Sequence, residues 1–203
     1  MSTAQSTTPS RRSRKFKAIL AGGIVLGVGA AATLAAWTDD EWAIGDFQAG
    51  SFNLEGSTNG SDYTEHEIEG DAATLGFETG ADNLSPGDSY AAGFAVRLDD
   101  TTSYDATVEL ANVTDAAENV TGLTYGVVQV ESFAVCTPEA TGTSIVAAGT
   151  ALDAGTGSFE VTAGPDTSAG APVNLCFQVT ANDELSQNQS TTATWQFTAT
   201  SVE

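Results

Sequence analysis

Apolar and polar side chains alternate along much of the chain beyond residue 46, and this period of two is typical of β-strands with one buried face. The strongest runs are residues 90–98, 104–110, 173–179 and 193–199, with Tyr90 and Tyr104 each beginning an apolar face. Weaker runs are residues 47–54, 72–77, 123–135, 143–147 and 158–162. We therefore predict about eight to ten strands, with one short helix at residues 115–119.

Turn-forming residues separate these runs, most clearly at Ser85, Pro86, Gly87 and Asp88. Many short strands joined by turns, each with one polar face, are typical of antiparallel sandwiches. The pattern thus predicts an all-β fold, an antiparallel jelly-roll-like sandwich.

The first 36 residues have the pattern of an export signal. Residues 11–17 contain five of the six basic side chains, and residues 18–36 follow without a charge. A basic region, an apolar stretch and the small residues Ala35 and Ala36 predict a signal-peptide helix that is cut before Trp37. The alternative is a retained membrane anchor, because a stretch of this length can span a bilayer.

We therefore divide the chain into three regions. Residues 1–36 are the predicted signal peptide, residues 37–56 an N-terminal strand segment, and residues 57–203 the sandwich body.

Charge is segregated between the two ends of the chain. Without residues 1–36, the chain has 27 acidic side chains and one basic side chain, Arg97, for a formal charge of −26. Such a body repels phosphate backbones and anionic lipids, so we predict no nucleic-acid partner and no membrane binding after cleavage. Because copies also repel one another, any self-association should strengthen as salt rises.

Cys136 and Cys176 form an even pair in a chain predicted to be exported, so we predict a disulfide between them. Because successive side chains of a strand point to opposite faces, Cys176 should lie on the face opposite Leu175 and Phe177. The same alternation places both cysteines away from the core. We expect a surface bridge between adjacent strands, or between a strand and its flanking loop, worth about 3–4 kcal/mol.

The junction after the apolar stretch is the most specific part of the sequence. It reads Ala36-Trp37-Thr38-Asp39 and, seven residues later, Phe47-Gln48-Ala49-Gly50-Ser51-Phe52-Asn53-Leu54. A second block reads Asn83-Leu84-Ser85-Pro86-Gly87-Asp88-Ser89 and precedes a core strand. These two blocks resemble the TasA/camelysin family of exported proteins, which SipW-type signal peptidases process.

The resemblance implies a secreted jelly-roll domain, and some family members assemble into fibres of the biofilm matrix. In that assembly an N-terminal strand freed by cleavage completes the sheet of the next subunit through main-chain hydrogen bonds and alternating side chains. The donor here would be residues 37–44, and the assembly strand would contribute Trp37, Trp42, Ile44 and the following Phe47. The open alternative is that this segment pairs within its own domain.

Camelysin-type members are described as metalloproteases, but this chain lacks the ligands of a zincin. Its one histidine, His66, has no second histidine at the HExxH spacing and no nucleophile motif beside it. Carboxylates cluster at residues 39–41, 62–71 and 99–100 without an EF-hand loop. We therefore predict no enzyme, no catalytic or metal residues, and no cofactor beyond loosely bound calcium.

These observations together predict a secreted structural protein of the cell surface or extracellular matrix. Its partners would be further copies of itself and, during export, a signal peptidase. The alternative is a monomeric secreted module that binds a surface glycan or a host protein. A hydrolase that depends on His66 has the least support.

Overall fold

The computed structural model describes residues 51–115 and 120–202, together with Lys15, Glu41 and Ile44. The chain divides into two units, Met1–Phe47 and Gln48–Glu203, and the fold described below belongs to the second. Most of the predicted signal peptide, and the predicted helix beyond Asp115, lie outside the described residues. Among the residues that are described, none belongs to a helix long and apolar enough to cross a membrane.

The described part of the second unit is an antiparallel β-sandwich of eight strands, which confirms the predicted fold class. The strands are β1 (Leu54–Ser57), β2 (Ser89–Leu98), β3 (Ala106–Asn112), β4 (Leu123–Val130), β5 (Thr143–Ala151), β6 (Thr156–Val161), β7 (Val173–Ala181) and β8 (Trp195–Ser201). One sheet has five strands in the order β1-β2-β7-β4-β5, and the other has three in the order β6-β3-β8. In the described residues, the 3-10 turns Glu69–Asp71 and Phe133–Val135 lie in the β1–β2 and β4–β5 connections.

Alternation along the strands creates the core between the two sheets. In β3, Val108 and Leu110 are fully buried while Glu109 between them is exposed. Phe177 of β7 is also fully buried and faces these residues from the other sheet as part of one core cluster. Each such side chain contributes about 1.5–3 kcal/mol by leaving water.

Several strand predictions need correction. Residues 72–77 form no strand, because they cross the open side of the sandwich without a pairing partner. Of the predicted run 47–54, the structure describes residues 51–54, and among these only Leu54 belongs to a strand, although Ser51 makes an isolated bridge to Thr102. The run at 123–135 ends as a strand at Val130 and continues into the 3-10 turn.

Tyr104 was expected on the core face, but its side chain is 49% exposed. It precedes β3 in the connection that passes from one sheet to the other, where the period of two no longer applies.

The predicted disulfide between Cys136 and Cys176 is present, and it links β7 to the loop after the neighbouring strand β4. The prediction that it faces away from the main core is also right, since Cys176 belongs to a second, smaller cluster with Ala91 and Val130. The expectation of a surface bridge is wrong, because Cys176 is fully buried. The loop covers it, and Gln178 Nε2 holds that loop by donating hydrogen bonds to three of its carbonyl oxygens.

Candidate functional site

The two sheets are closed along one side and open along the other. On the closed side the chain passes from β5 directly into β6, and Gly157 lies so close to Ile145 that a Cβ would be 2.2 Å from the Ile145 carbonyl oxygen. On the open side, β1 and β8 are the last strands of their sheets within the described chain. Between them lies a largely apolar groove with a volume of about 950 Å³.

Aromatic side chains from both sheets form the floor of this groove. The ring of Phe197 on β8 lies 5.2 Å from that of Phe94, and Trp195 lies 4.8 Å from Phe177, centroid to centroid. Trp195, Phe197 and Ala199 make up the inner face of β8, yet all three are only half-buried. The inner face of β8 therefore keeps apolar surface that no further strand of the described chain covers.

The free edge of β8 lacks the features that normally prevent strands from pairing with another chain. Edge strands are commonly protected by charged residues, prolines or bulges. Residues 186–202 contain no charged side chain and no proline, although the chain has 27 acidic residues. Pairing with β3 runs without a bulge from Trp195 to Ser201, so the free edge is seven residues and about 24 Å long.

Polar residues of the junction motif fasten the start of β1 to the turn between β2 and β3. The backbone N–H of Asn53 donates to Thr102 Oγ1 at 2.8 Å, and the Asn53 carbonyl accepts from the N–H of Asp99 at 3.2 Å. The Asn53 side-chain amide also donates to the Asp99 carboxylate, and the Ser51 hydroxyl donates to the Thr101 carbonyl. This clamp fixes the point at which the chain enters the sandwich.

The clamp makes the charge of Asp99 part of the stability of the fold. Burial alone would raise the pKa of Asp99, but hydrogen bonds from Thr102, Thr101 and Asn53 outweigh burial and hold the pKa below its ordinary value. Ionised Asp99 therefore stabilises the fold at pH values above the ordinary aspartate pKa of about 4. This contribution is lost as the pH falls through the lower folded pKa.

We expect Asp99→Asn to lower the free energy of unfolding at neutral pH by about 1 kcal/mol, because charge-assisted hydrogen bonds in the clamp are weakened. Urea unfolding measures this loss, which should shrink as the pH is lowered below about 4 and Asp99 of the unmodified chain becomes protonated. The exposed neighbour Asp100, changed to Asn, is the matched control and should cost much less. Equal losses for both variants at all pH values would contradict the role of the clamp.

Arg97, the one basic residue beyond residue 17, holds the middle of β1. Its Nε donates to Glu55 Oε1 at 2.8 Å across the β1–β2 pair, and its guanidinium lies 4.0 Å from the centroid of the Tyr63 ring. Burial raises the pKa of Tyr63, and the charge of Arg97 acts in the opposite direction. The acidic body thus uses its single cation to position β1, which forms one wall of the groove.

The predicted turn at Pro86, Gly87 and Asp88 lies at the start of β2. Gly87 has a φ of 95°, which favours glycine, and the Asp88 carboxylate accepts a hydrogen bond from the Ser85 N–H at 2.8 Å. Gly87 N–H and Asp88 C=O are both hydrogen-bonded to Ala181 at the end of β7. The second block of the resemblance therefore anchors the β1–β2 connection to the five-stranded sheet.

The residues considered for catalysis or metal binding are not brought together. His66 is exposed in the β1–β2 connection, where its Nε2 lies 3.3 Å from Thr64 Oγ1. Within residues 51–115 and 120–202, no three or more His, Cys, Asp or Glu side chains are grouped so that they could hold a metal ion.

The predicted cleavage and assembly residues fall mainly outside the described part of the chain. Ala35, Ala36, Trp37, Trp42 and Phe47 are not described, so their roles stay predictions. Ile44 is described, and its side chain is 92% exposed.

Sequence reasoning did not find the groove or the free edge of β8. The available signal was the lack of charge in residues 186–202, which is unusual in so acidic a chain. No protein-family model matches this chain, and a search of the curated proteins finds no match either.

Proposed function

We propose that this protein is an exported structural subunit that assembles by strand addition. Residues 37–44 of one copy would lie along β8 in the groove of the next copy, and repetition of this contact would build a fibre. An open-ended contact of this kind joins two different surfaces, so it need not close into a ring.

The observation that carries the proposal is the unprotected edge of β8 beside an apolar groove that no strand of the described chain covers. An added strand would gain main-chain hydrogen bonds from β8, and its alternate side chains would pack on the groove floor that Phe94 and Phe197 form together. The specificity of such a contact comes from the fit between the side chains of the added strand and the pockets of the groove. The half-buried inner face of β8 would become fully buried on assembly.

Residues 37–44 suit this role in length and in the exposure of Ile44. Eight residues match the seven-residue edge of β8. Trp42 and Ile44 alternate in sequence, and Ile44 is an apolar side chain with almost complete exposure. The Ile44 side chain is therefore free to enter an apolar groove on a partner.

The chain enters the sandwich at Ser51, which is tied to the β2–β3 turn, and then runs along β2 from Leu54. Pairing of residues 37–44 within their own copy is the alternative, and it predicts a monomer at every salt concentration.

Export rests on two further observations. The disulfide between Cys136 and Cys176 is of a type that persists in oxidising compartments outside the cytosol. The junction and turn blocks resemble the TasA/camelysin family, and both blocks take part in hydrogen bonds that position β1 and β2 around the groove.

The proposal predicts fibres that depend on residues 37–44 and on salt. The protein secreted by expressing cells should begin at or beside Trp37 by N-terminal sequencing, and electron microscopy should show fibres that increase as salt screens the acidic surfaces. Deleting residues 37–44 should leave a folded monomer.

A length-matched control keeps the segment but replaces Asp39, Asp40 and Glu41 with Asn, Asn and Gln. This variant should assemble at lower salt than the unmodified protein, because repulsion between donor and groove is reduced. Assembly that is unaffected by the deletion would contradict the proposal. A monomer at every salt concentration would do so as well, and would favour a secreted binding module.

A further inference from the structure

We infer that residues 72–77 act as an internal plug, an occupant of the groove that the donor strand of a second copy must displace. This inference rests on the proposed function and adds a step that controls it. The segment is named the plug below.

The length of the β1–β2 connection is the first observation. Antiparallel neighbours can be joined by a turn of two residues, yet 31 residues, 58–88, separate β1 from β2. Long connections with almost no regular structure are uncommon in compact domains and often serve as lids or binding loops. This connection leaves the edge of the five-stranded sheet and lines the groove.

The plug imitates a strand through its side chains but not through its backbone. Ala73, Leu75 and Phe77 are half-buried and pack against the main core cluster, while Thr74 and Gly76 between them are exposed. This alternation is that of a strand with one buried face. Its side chains line the groove, so a donor strand gains the full width of the groove only when the plug moves aside.

The backbone hydrogen bonds found for the plug in the described chain remain within its own connection. Ala72 N–H donates to Glu69 C=O, and Phe77 N–H donates to Leu75 C=O, both at 3.2 Å. No ladder joins the plug to β8, and within residues 51–115 and 120–202 no other strand pairs with the outer edge of β8. A donor strand that offers both side chains and a hydrogen-bond ladder therefore has an advantage over the plug.

Charge also limits how firmly the plug can bind. The 58–88 connection contains eight acidic residues and no lysine or arginine, including Glu69, Asp71 and Glu78 close to the two ends of the plug. Mutual repulsion of these carboxylates opposes a tightly packed loop. The plug would shield the aromatic floor of the groove in the monomer and leave when a donor arrives.

Thiol labelling of an introduced cysteine tests the plug, because the two native cysteines are disulfide-bonded and leave no free thiol in the described chain. Leu75→Cys is the reporter, Ala73→Cys is a gentler second reporter on the same face, and Thr74→Cys is the exposed control. In monomers held at low salt, we expect the two reporters to react at least about tenfold more slowly than the control. In fibres, all three should react at similar rates.

The outcomes separate this inference from the proposed function. If fibres form and the reporters react equally slowly in monomer and fibre, or as fast as the control in the monomer, the plug is wrong and strand addition still stands. If no variant and no unmodified protein assembles, the proposed function fails and the plug fails with it. Slow reporters in the monomer that become fast only in fibres support both.

Discussion

Ala199→Asp is expected to abolish assembly while the protein still folds. Ala199 lies on the inner face of β8 and lines the groove, so an aspartate there would place a carboxylate where the donor side chains must enter. Burying an unpaired carboxylate costs several kcal/mol, which corresponds to a loss of affinity of more than about 100-fold. The acidic residues 39–41 of the donor would add repulsion.

Thr198→Asp is the matched control, because Thr198 is the neighbouring residue on the exposed face of the same strand. It adds the same charge outside the groove, so fibres should form at somewhat higher salt but in similar amount. Sedimentation and electron microscopy measure assembly, and circular dichroism checks that both variants fold. If Ala199→Asp forms as much fibre as the control, the groove is not part of the assembly contact.

Loss of the disulfide is the second change with a large expected effect. The double variant Cys136→Ala and Cys176→Ala should lose about 3–4 kcal/mol in the free energy of unfolding, because the bridge closes a loop across 40 residues of sequence. This is a large part of the 5–15 kcal/mol that is typical of a whole domain. Urea unfolding with and without a reducing agent measures the loss.

Reduction of the unmodified protein should give the same destabilisation as the double variant, and the double variant itself should not respond to reductant. Gln178→Ala tests the loop separately, since it removes the hydrogen bonds to Thr137, Pro138 and Ala140 while the disulfide remains. A loss below about 1 kcal/mol in the double variant would mean that packing of the loop stabilises this face without the covalent link.

The strands that could be predicted from the sequence are those whose apolar side chains alternate strongly, and they include the edge strand β8 as well as the central strands β2, β3 and β7. In β2 and β7 the predicted apolar face lies in the core, although Ala91, Ala95 and Cys176 on the opposite face are buried too. Residues 72–77 have the same alternation but lie beside no strand. A local pattern records which face is apolar, whereas pairing depends on segments that are distant in sequence.

The same limit explains the cysteines and the groove. The alternation of side chains along β7 gave the correct face for Cys176. Its burial, however, depends on the loop after β4, which Gln178 of the same strand holds in place by a hydrogen bond to the Thr137 carbonyl. The groove depends on β1 and β8 being the last strands of two sheets, and strand order is not encoded in any one segment. The junction residue Asn53 was identified only through a resemblance, and its hydrogen bonds to Asp99 and Thr102 supply a physical reason for it.

The central claim is that residues 37–44 of one copy bind the groove of another. The most direct test mixes two variants, each of which keeps only one of these two contact surfaces. The variant that lacks residues 37–44 keeps its groove but has no donor, and Ala199→Asp keeps its donor but has a blocked groove. Each should be monomeric alone, and an equimolar mixture at high salt should give heterodimers by analytical ultracentrifugation, without longer species. A mixture that stays monomeric while the unmodified protein forms fibres would contradict the account.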